Sequence, residues 1–170
     1  KEKDAKSIID DYKRYASHTV KDQIFESAKH KFEKTSKRKL RLYVDLASGR
    51  GNDLHRWIIK GYKNILGIEM DKDQYEVSIK RLVTVRKQGR MKGMHVQYIN
   101  CSVLDSDCVE KGIKEAKADI VGCFFAENYF WKSKETLAAH LSILRNITNK
   151  GSLFVGTCAD GDTIEHLLRT

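Results

Sequence analysis

The segment at residues 40–54, LRLYVDLASGRGNDL, constrains this chain more than any other. Leu40, Leu42 and Val44, continuing into Leu46 and Ala47, read as a buried parallel strand. A Gly49-Arg50-Gly51 turn follows, and residues 52–60 read as a helix. Glycine reaches φ > 0 and carries no Cβ, so the backbone of such a turn can come close to a ligand. The helix behind the turn aims its free N–H groups and its positive dipole end at the same place. Twenty residues after Gly49, Glu69 lies at the end of a second apolar run, residues 64–70. An acid at that distance is placed to accept both hydroxyls of a ribose.

Strand, turn, helix and spaced carboxylate together predict a nucleoside-containing cofactor. A nicotinamide dinucleotide prefers the longer G-x-G-x-x-G/A turn, because its pyrophosphate rests on the helix start. Here Leu54 occupies the third glycine position, and Asp53 would repel a diphosphate. A cofactor that ends in an amino acid fits better, which points to S-adenosylmethionine.

The remaining pattern alternates strands and helices. Residues 4–32 read as helical, with Ile8, Tyr12, Tyr15, Thr19 and Ile24 on a three-to-four spacing. A helix starting near Asp71–Asp73 runs to about Gly89 and is expected to turn Ile79, Leu82 and Val83 inward. Residues 94–100 form a third strand, 108–116 a short helix and 118–125 a fourth strand. Ser133 can cap a helix bearing Leu137, Leu141, Leu144 and Ile147. A fifth strand at 152–158 and a short helix at 162–169 complete the series. The fold class expected is α/β, a doubly wound and mostly parallel sheet with helices on both faces. Ligands of such sheets sit at the carboxyl ends of the strands. Asp45, Glu69, residues 101–105 and residues 124–129 all collect there.

One hundred and seventy residues suit one domain with a real core. A net charge of +9 suggests a polyanionic partner. Cys101, Cys108, Cys123 and Cys158 contain no C-x-x-C pair, and Cys101, Cys123 and Cys158 lie in or beside apolar strands. They therefore read as buried free thiols, in a reducing intracellular setting, rather than as disulfides or zinc ligands. No membrane-length apolar run or signal peptide is present, so no membrane partner is expected. The first residue is Lys1, not Met, which suggests a piece of a longer polypeptide.

Four blocks in this order, DLASGRGNDLHRW, GIEMD, CFFAENYFW and GTCADGDTI, make the chain resemble the mRNA cap guanine-N7 methyltransferases over residues 10–170. The final D-G-D and the degenerate middle are most similar to capping enzymes of large cytoplasmic DNA viruses. The resemblance implies a Rossmann-like S-adenosylmethionine-dependent enzyme, here without the family's C-terminal strands. It implies a basic helical segment at 1–39 that contributes to the cofactor site, and a methyltransferase core at 40–170. Lys21 would pair with the methionine carboxylate of the cofactor, and Asp45 with its ammonium. Gly49, Arg50 and Gly51 would line the methionine end, and Glu69 would hold the ribose. Ser102, standing where the family has Asp, the nearby backbone, or Asp105 would meet the adenine. Phe124 and Phe125 would flank the cofactor, and Asn128, in place of His, and Tyr129 would orient the guanine. Trp131 completes that aromatic block.

Guanine N7 carries no proton, so the implied reaction needs no general base and no metal. Positioning and electrostatics supply the rate. Residues 29–41, with seven Lys or Arg and one acid, and residues 80–92, with six and none, are expected to meet the triphosphate bridge and RNA backbone of the capped RNA. Solvated helix faces are the competing reading of both stretches. The implied partners include other capping domains or a stimulatory subunit. The implied location is the cytoplasm, a viral factory or a virion, or the nucleus for a cellular protein. Amino-group methylation of adenine or glutamine fits less well, because its proline-bearing tetrapeptide is missing from a chain without proline. An inactive RNA-binding or partner-activating module, or methylation at another RNA position, is the alternative.

Overall fold

Five strands, the central ones apolar and covered, form one parallel sheet in the order β3-β2-β1-β4-β5 in a computed structural model of the chain. The structure describes residues 14–114, 116–158, 160 and 162. The strands are β1 (Tyr43–Leu46), β2 (Asn64–Glu69), β3 (His95–Asn100), β4 (Ala118–Phe124) and β5 (Thr148–Thr157). After a π-helical turn at Tyr15–Val20 come helices α1 (Lys21–Ser36), α2 (Leu54–Ile59), α3 (Lys72–Lys87), α4 (Ser106–Ile113), α5 (Glu127–Phe130) and α6 (Lys134–Ile147).

Alternation along the strands builds two cores. Tyr43, Ile65, Val96, Tyr98, Ile120 and Phe124 face Phe25 and Phe32 of α1, Leu54 and Trp57 of α2, and Leu82 of α3. Val44, Leu46, Leu66, Ile68, Val121 and Cys123 face Val109 and Ile113 of α4, Phe130 of α5, and Ile143 and Ile147 of α6. Each fully buried side chain of this size contributes roughly 1.5–3 kcal/mol. All four residues of β1 are buried, and Asp45 is paired in register with Gly67 on one side and Gly122 on the other. Those glycines make room for rings: a Cβ at Gly122 would lie 1.9 Å from the Tyr43 hydroxyl, and one at Gly67 2.4 Å from the Tyr98 ring.

Side-chain caps start three helices where a short polar residue precedes an apolar run. Asp71 accepts from Gln74 N at 2.9 Å, Asp105 from Cys108 N at 3.1 Å, and Ser133 from Thr136 N at 3.2 Å. The Asp105 cap sets the start of α4 at Ser106 rather than at residue 108.

Several expectations are corrected. Ile8 and Tyr12 lie outside the described residues, Tyr15 and Thr19 are exposed, and α1 instead buries Phe25, Ala28 and Phe32. The spacing chosen in the sequence follows a straight α-helix, and the π-helical turn shifts the phase before Lys21. Val83 and Leu141 are exposed, because α3 and α6 each bury a narrower stripe than their apolar residues offer. Cys101 and Cys108 form a disulfide: Cys101 directly follows β3, and Cys108 sits in the first turn of α4, with Cα atoms 6.5 Å apart. Cys158 is exposed, and Cys123 is the buried free thiol. The fifth strand begins earlier, at Thr148, through a register irregularity opposite Ala118 and Ile120. The helix expected at 162–169 lies outside the described residues apart from Asp162.

Candidate functional site

The chain leaves β1 through Ala47, at φ +59°, and turns through Gly49 at φ +56° and Gly51 at φ +65°. Non-glycine residues in the left-handed region are costly and gather at functional sites, and Ala47 and Phe125, at φ +63°, both stand at the carboxyl ends of central strands. The turn is closed by Gly51 N donating to Ser48 O at 3.1 Å, and it is tied to β2 by Ser48 N donating to Ile68 O at 2.8 Å. Glu69 completes the tie. Its Oε2 accepts from Gly49 N at 2.7 Å and its Oε1 from Asp71 N at 2.8 Å. The acid twenty residues downstream is therefore bonded to the glycine turn itself. Each carboxylate oxygen keeps a lone pair for a further donor.

Beyond the turn lies a cavity of about 390 Å³ lined by Lys21, Asp45, Ala47, Ser48, Gly49, Arg50, Asn52, Asp53, Gln74 and Phe124. Residues 21 to 124 in sequence thus meet in one place at the carboxyl ends of β1 and β4. Asp45 is 2% exposed. Burial, reinforced by the neighbouring Asp53, pushes its carboxyl well above the ordinary range, and Lys21 pulls the other way without cancelling the effect. A carboxyl in that state gains from any cation brought to it.

Lys21, at the first turn of α1, reaches into the cavity wall. Its Nζ lies 2.7 Å from Asp53 Oδ2, 4.7 Å from the Phe124 ring centroid and 5.5 Å from that of Phe125. The other Asp53 oxygen accepts from Arg56 Nη1 at 2.8 Å, and Arg56 Nε donates to Asp22 at 2.6 Å. This cluster of Lys21, Asp22, Asp53 and Arg56 staples α1 to α2 beneath the cavity. Sequence reasoning did not assign Arg56 or Asp22. Their one trace is an Asp and an Arg three apart in the first turn of a helix.

Phe125 is half-exposed at the end of β4, and α5 carries Asn128 and Tyr129, both exposed, at the same end of the sheet. Trp131 follows them at the surface. Ser102 and Asp105 are placed differently. Ser102 Oγ accepts from Leu104 N at 3.1 Å and Asp105 caps α4, so both side chains shape the loop after β3 and neither lines the cavity. The backbone there is held to the site by Cys101 N donating to Glu69 O at 3.1 Å.

In the first basic stretch Lys29 and Arg38 are consumed by structure, while Lys31, Lys34, Lys37, Lys39 and Arg41 are exposed. Lys29 donates to Lys60 O at 2.7 Å and Gly61 O at 3.1 Å, at the end of α2. Arg38 grips Asp119 with two bonds of 2.9 and 2.6 Å. Although burial opposes ionisation, Arg38 and the N–H groups of Arg41 and Leu42 hold the Asp119 carboxyl below its ordinary value. In the second stretch Arg81 donates to Asn52 and Arg86 to Val96 O, while Lys80, Lys87, Arg90 and Lys92 are exposed. A larger cavity, about 500 Å³, opens near Arg41, Asn64 and His95 at the opposite ends of the strands. It lacks the glycine turn and the strand carboxyl ends where ligands of such sheets bind.

Sheet order, glycine turn, and an acid at the end of β2 define a Rossmann-like methyltransferase domain. The fold matches the structure of the plantazolicin methyltransferase BamL in complex with a triazolic desmethylPZN analog and SAH, with a TM-score of 0.68 at 13% identity over 96% of this chain and 55% of that one. Residues 1–170 match the mRNA (guanine-N(7))-methyltransferase domain, and the chain belongs to that family. It is 27% identical over 164 residues to the mRNA cap guanine-N(7) methyltransferase of Caenorhabditis elegans, covering 93% of this chain and 41% of the relative. It is 30% identical over 136 residues to the mRNA cap guanine-N(7) methyltransferase 1 of rice, Oryza sativa subsp. japonica, covering 74% of this chain and 35% of the relative. The chain thus spans less than half the length of these relatives. Both relatives are cellular, so the expected likeness to viral capping enzymes gains no support from them.

Proposed function

We propose that this chain is the cofactor-binding portion of an enzyme that methylates N7 of the guanine cap of mRNA. The observation that carries the reading is the placement of the buried Asp45 in a cavity walled by Lys21 and the glycine turn, at the sheet end that also carries Asn128 and Tyr129. The chemistry of this wall fits an amino-acid cofactor. Asp45 would take an ammonium group, and its raised carboxyl would ionise on doing so. Lys21 and Arg50 would take a carboxylate, and Glu69 would accept ribose hydroxyls with its free lone pairs. Gly49 and Gly51 keep side-chain atoms out of the turn, and Phe124 and Phe125 would close the apolar side. Ser102 and Asp105 would act on the adenine through the loop they shape.

S-adenosylmethionine supplies an electrophilic methyl group on a sulfonium, which attack by an unprotonated guanine N7 releases as a neutral thioether. No residue need remove a proton. Asn128 and Tyr129 would hold the guanine edge and face, and exclude water from the line of attack. Lys31, Lys34, Lys37 and Arg41 of the first basic stretch, and Lys80, Lys87, Arg90 and Lys92 of the second, are exposed cations that RNA phosphates would meet.

Calorimetric titration with S-adenosylhomocysteine, followed by methyl transfer to GpppA-capped RNA by a chain extended to the length of the relatives, tests the reading. Micromolar binding lost in Asp45→Ala and Glu69→Ala, with methylation blocked on a cap already carrying 7-methylguanine, supports it. A folded chain that binds no S-adenosylhomocysteine refutes it.

A further inference from the structure

The single turn of α5 faces two ways. Asn128 and Tyr129 point outward, while Glu127 and Phe130 point into the fold, each 6% exposed. Behind them stands His140 of α6, 1% exposed. Its ring stacks on Phe130 with centroids 4.1 Å apart and planes within 4°, and it meets Phe154 of β5 edge-on at 6.0 Å. Its Nε2 lies 3.7 Å from Glu127 Oε1. Neither ring nitrogen of His140 nor Oε1 of Glu127 has a hydrogen-bond partner. Burying an unpartnered carboxylate oxygen and an unpartnered imidazole is costly, and apolar packing alone would not select it. The two groups need roughly half an ångström to one ångström of closure to satisfy one another.

We infer that Glu127 and His140 form a proton-sharing pair that sets the position of α5, making them positioning residues for the methyl acceptor. The inference rests on the proposed reading of Asn128 and Tyr129 as acceptor-facing. With one proton between Nε2 and Oε1 the pair is neutral overall and holds the turn against α6. When that proton leaves, the carboxylate is a buried charge without a counter-charge. Outward rotation of α5 then hydrates it and displaces Asn128 and Tyr129. From β4 the Cys123 thiol lies beside Glu127, and burial, followed by Glu127, pushes that thiol up, so it stays protonated. From β5 the facing side chain is Phe154, which carries no charge. Burial holds His140 below its ordinary value, with Glu127 opposing, so the transition falls on the acid side of an ordinary imidazole.

The test follows the His140 ring by NMR across the histidine range, about pH 5 to 8, with its signals assigned through contacts to Phe130. Tryptophan emission is recorded in parallel, since Trp131 adjoins α5 and is 58% exposed whereas Trp57 is fully buried. One shared midpoint is expected in the natural sequence. Glu127→Gln should lower the His140 midpoint, and His140→Phe, which preserves the stacking on Phe130, should abolish the emission step. Emission that ignores the His140 titration in the natural sequence overturns the inference whether or not the variants fold. So does a His140 midpoint unmoved in a folded Glu127→Gln variant. Affinity for a GpppA dinucleotide should weaken about fivefold as pH rises past the midpoint, and stay level in His140→Phe. A shared midpoint with no GpppA binding at all supports the pair and counts instead against the cap reading.

Discussion

Lys21 Nζ stands 2.7 Å from Asp53 Oδ2, joining the first turn of α1 to the start of α2 across 32 positions of sequence. The contact is 12% exposed on the lysine side and 7% on the aspartate side. Any carboxylate entering the cavity meets a lysine already oriented, with a second cation, Arg56, holding the far side of Asp53.

Removing that lysine therefore separates orientation from charge. Lys21→Ala should weaken S-adenosylhomocysteine binding by roughly 10- to 100-fold, the range of one charge-assisted hydrogen bond. Asp53 stays paired with Arg56, so the melting temperature should change little. Calorimetry and thermal denaturation of the same preparation read both quantities.

Asp53→Asn should act in the opposite sense. It withdraws one of the two carboxylates that pair with Arg56, itself 2% exposed, and leaves Asp22 in place, so it should lower the unfolding free energy by roughly 1.5–3 kcal/mol. Urea denaturation with an unchanged slope is the check.

Two glycines with similar backbone angles should respond unequally to alanine. Gly89 sits at φ +69° with open space around its added Cβ, so Gly89→Ala should cost about 1 kcal/mol from the backbone alone. At Gly51, φ +65°, the same Cβ would lie 2.6 Å from the Tyr98 hydroxyl and 3.1 Å from Ser78 Cβ. Gly51→Ala should add roughly 1–3 kcal/mol of overpacking to that strain and impair cofactor binding. Equal losses at the two positions would refute the close approach of Tyr98 to the turn.

Asp45 gives the site a pH signature. Its carboxyl is raised in the fold, so the folded state holds that proton more tightly than the unfolded chain. The resulting stability is present below the unfolded value, about 3.9, and is lost as pH rises through the raised folded value. An ammonium beside Asp45 reverses the preference. Binding should therefore release a proton wherever Asp45 is protonated in the free protein, and affinity should fall as pH falls. Calorimetry in buffers of different ionisation enthalpy measures the release, and Asp45→Asn should remove it together with most of the affinity.

Local pattern carried much of the architecture. The β2 strand at Asn64–Glu69, the helix behind Asp71 and the Ser133 cap were all readable, because each depends on residues within one or two turns of each other. Glu69 was readable as the acid that ends the second strand, because its spacing reflects one strand–helix–strand unit, whereas its bond to Gly49 N was not. Misreadings arose where local rules meet a neighbour. Val83 and Leu141 have the right spacing to face inward, yet the width of the facing sheet leaves them at the surface. The disulfide of Cys101 with Cys108 depends on how the loop after β3 folds onto the start of α4, which spacing alone does not state.

By itself, then, the amino-acid sequence determined a parallel α/β sheet with a ligand turn after its first strand, since hydrophobic period and glycine placement act over short distances. Tertiary structure alone decided which charges are spent and which remain. Arg38 met Asp119 across 81 positions, and Arg56 met Asp22 across 34. Glu127 and His140 came to share one buried space. The reason is that an ion pair is specified by proximity and desolvation, and both come into being only when the chain has closed around them.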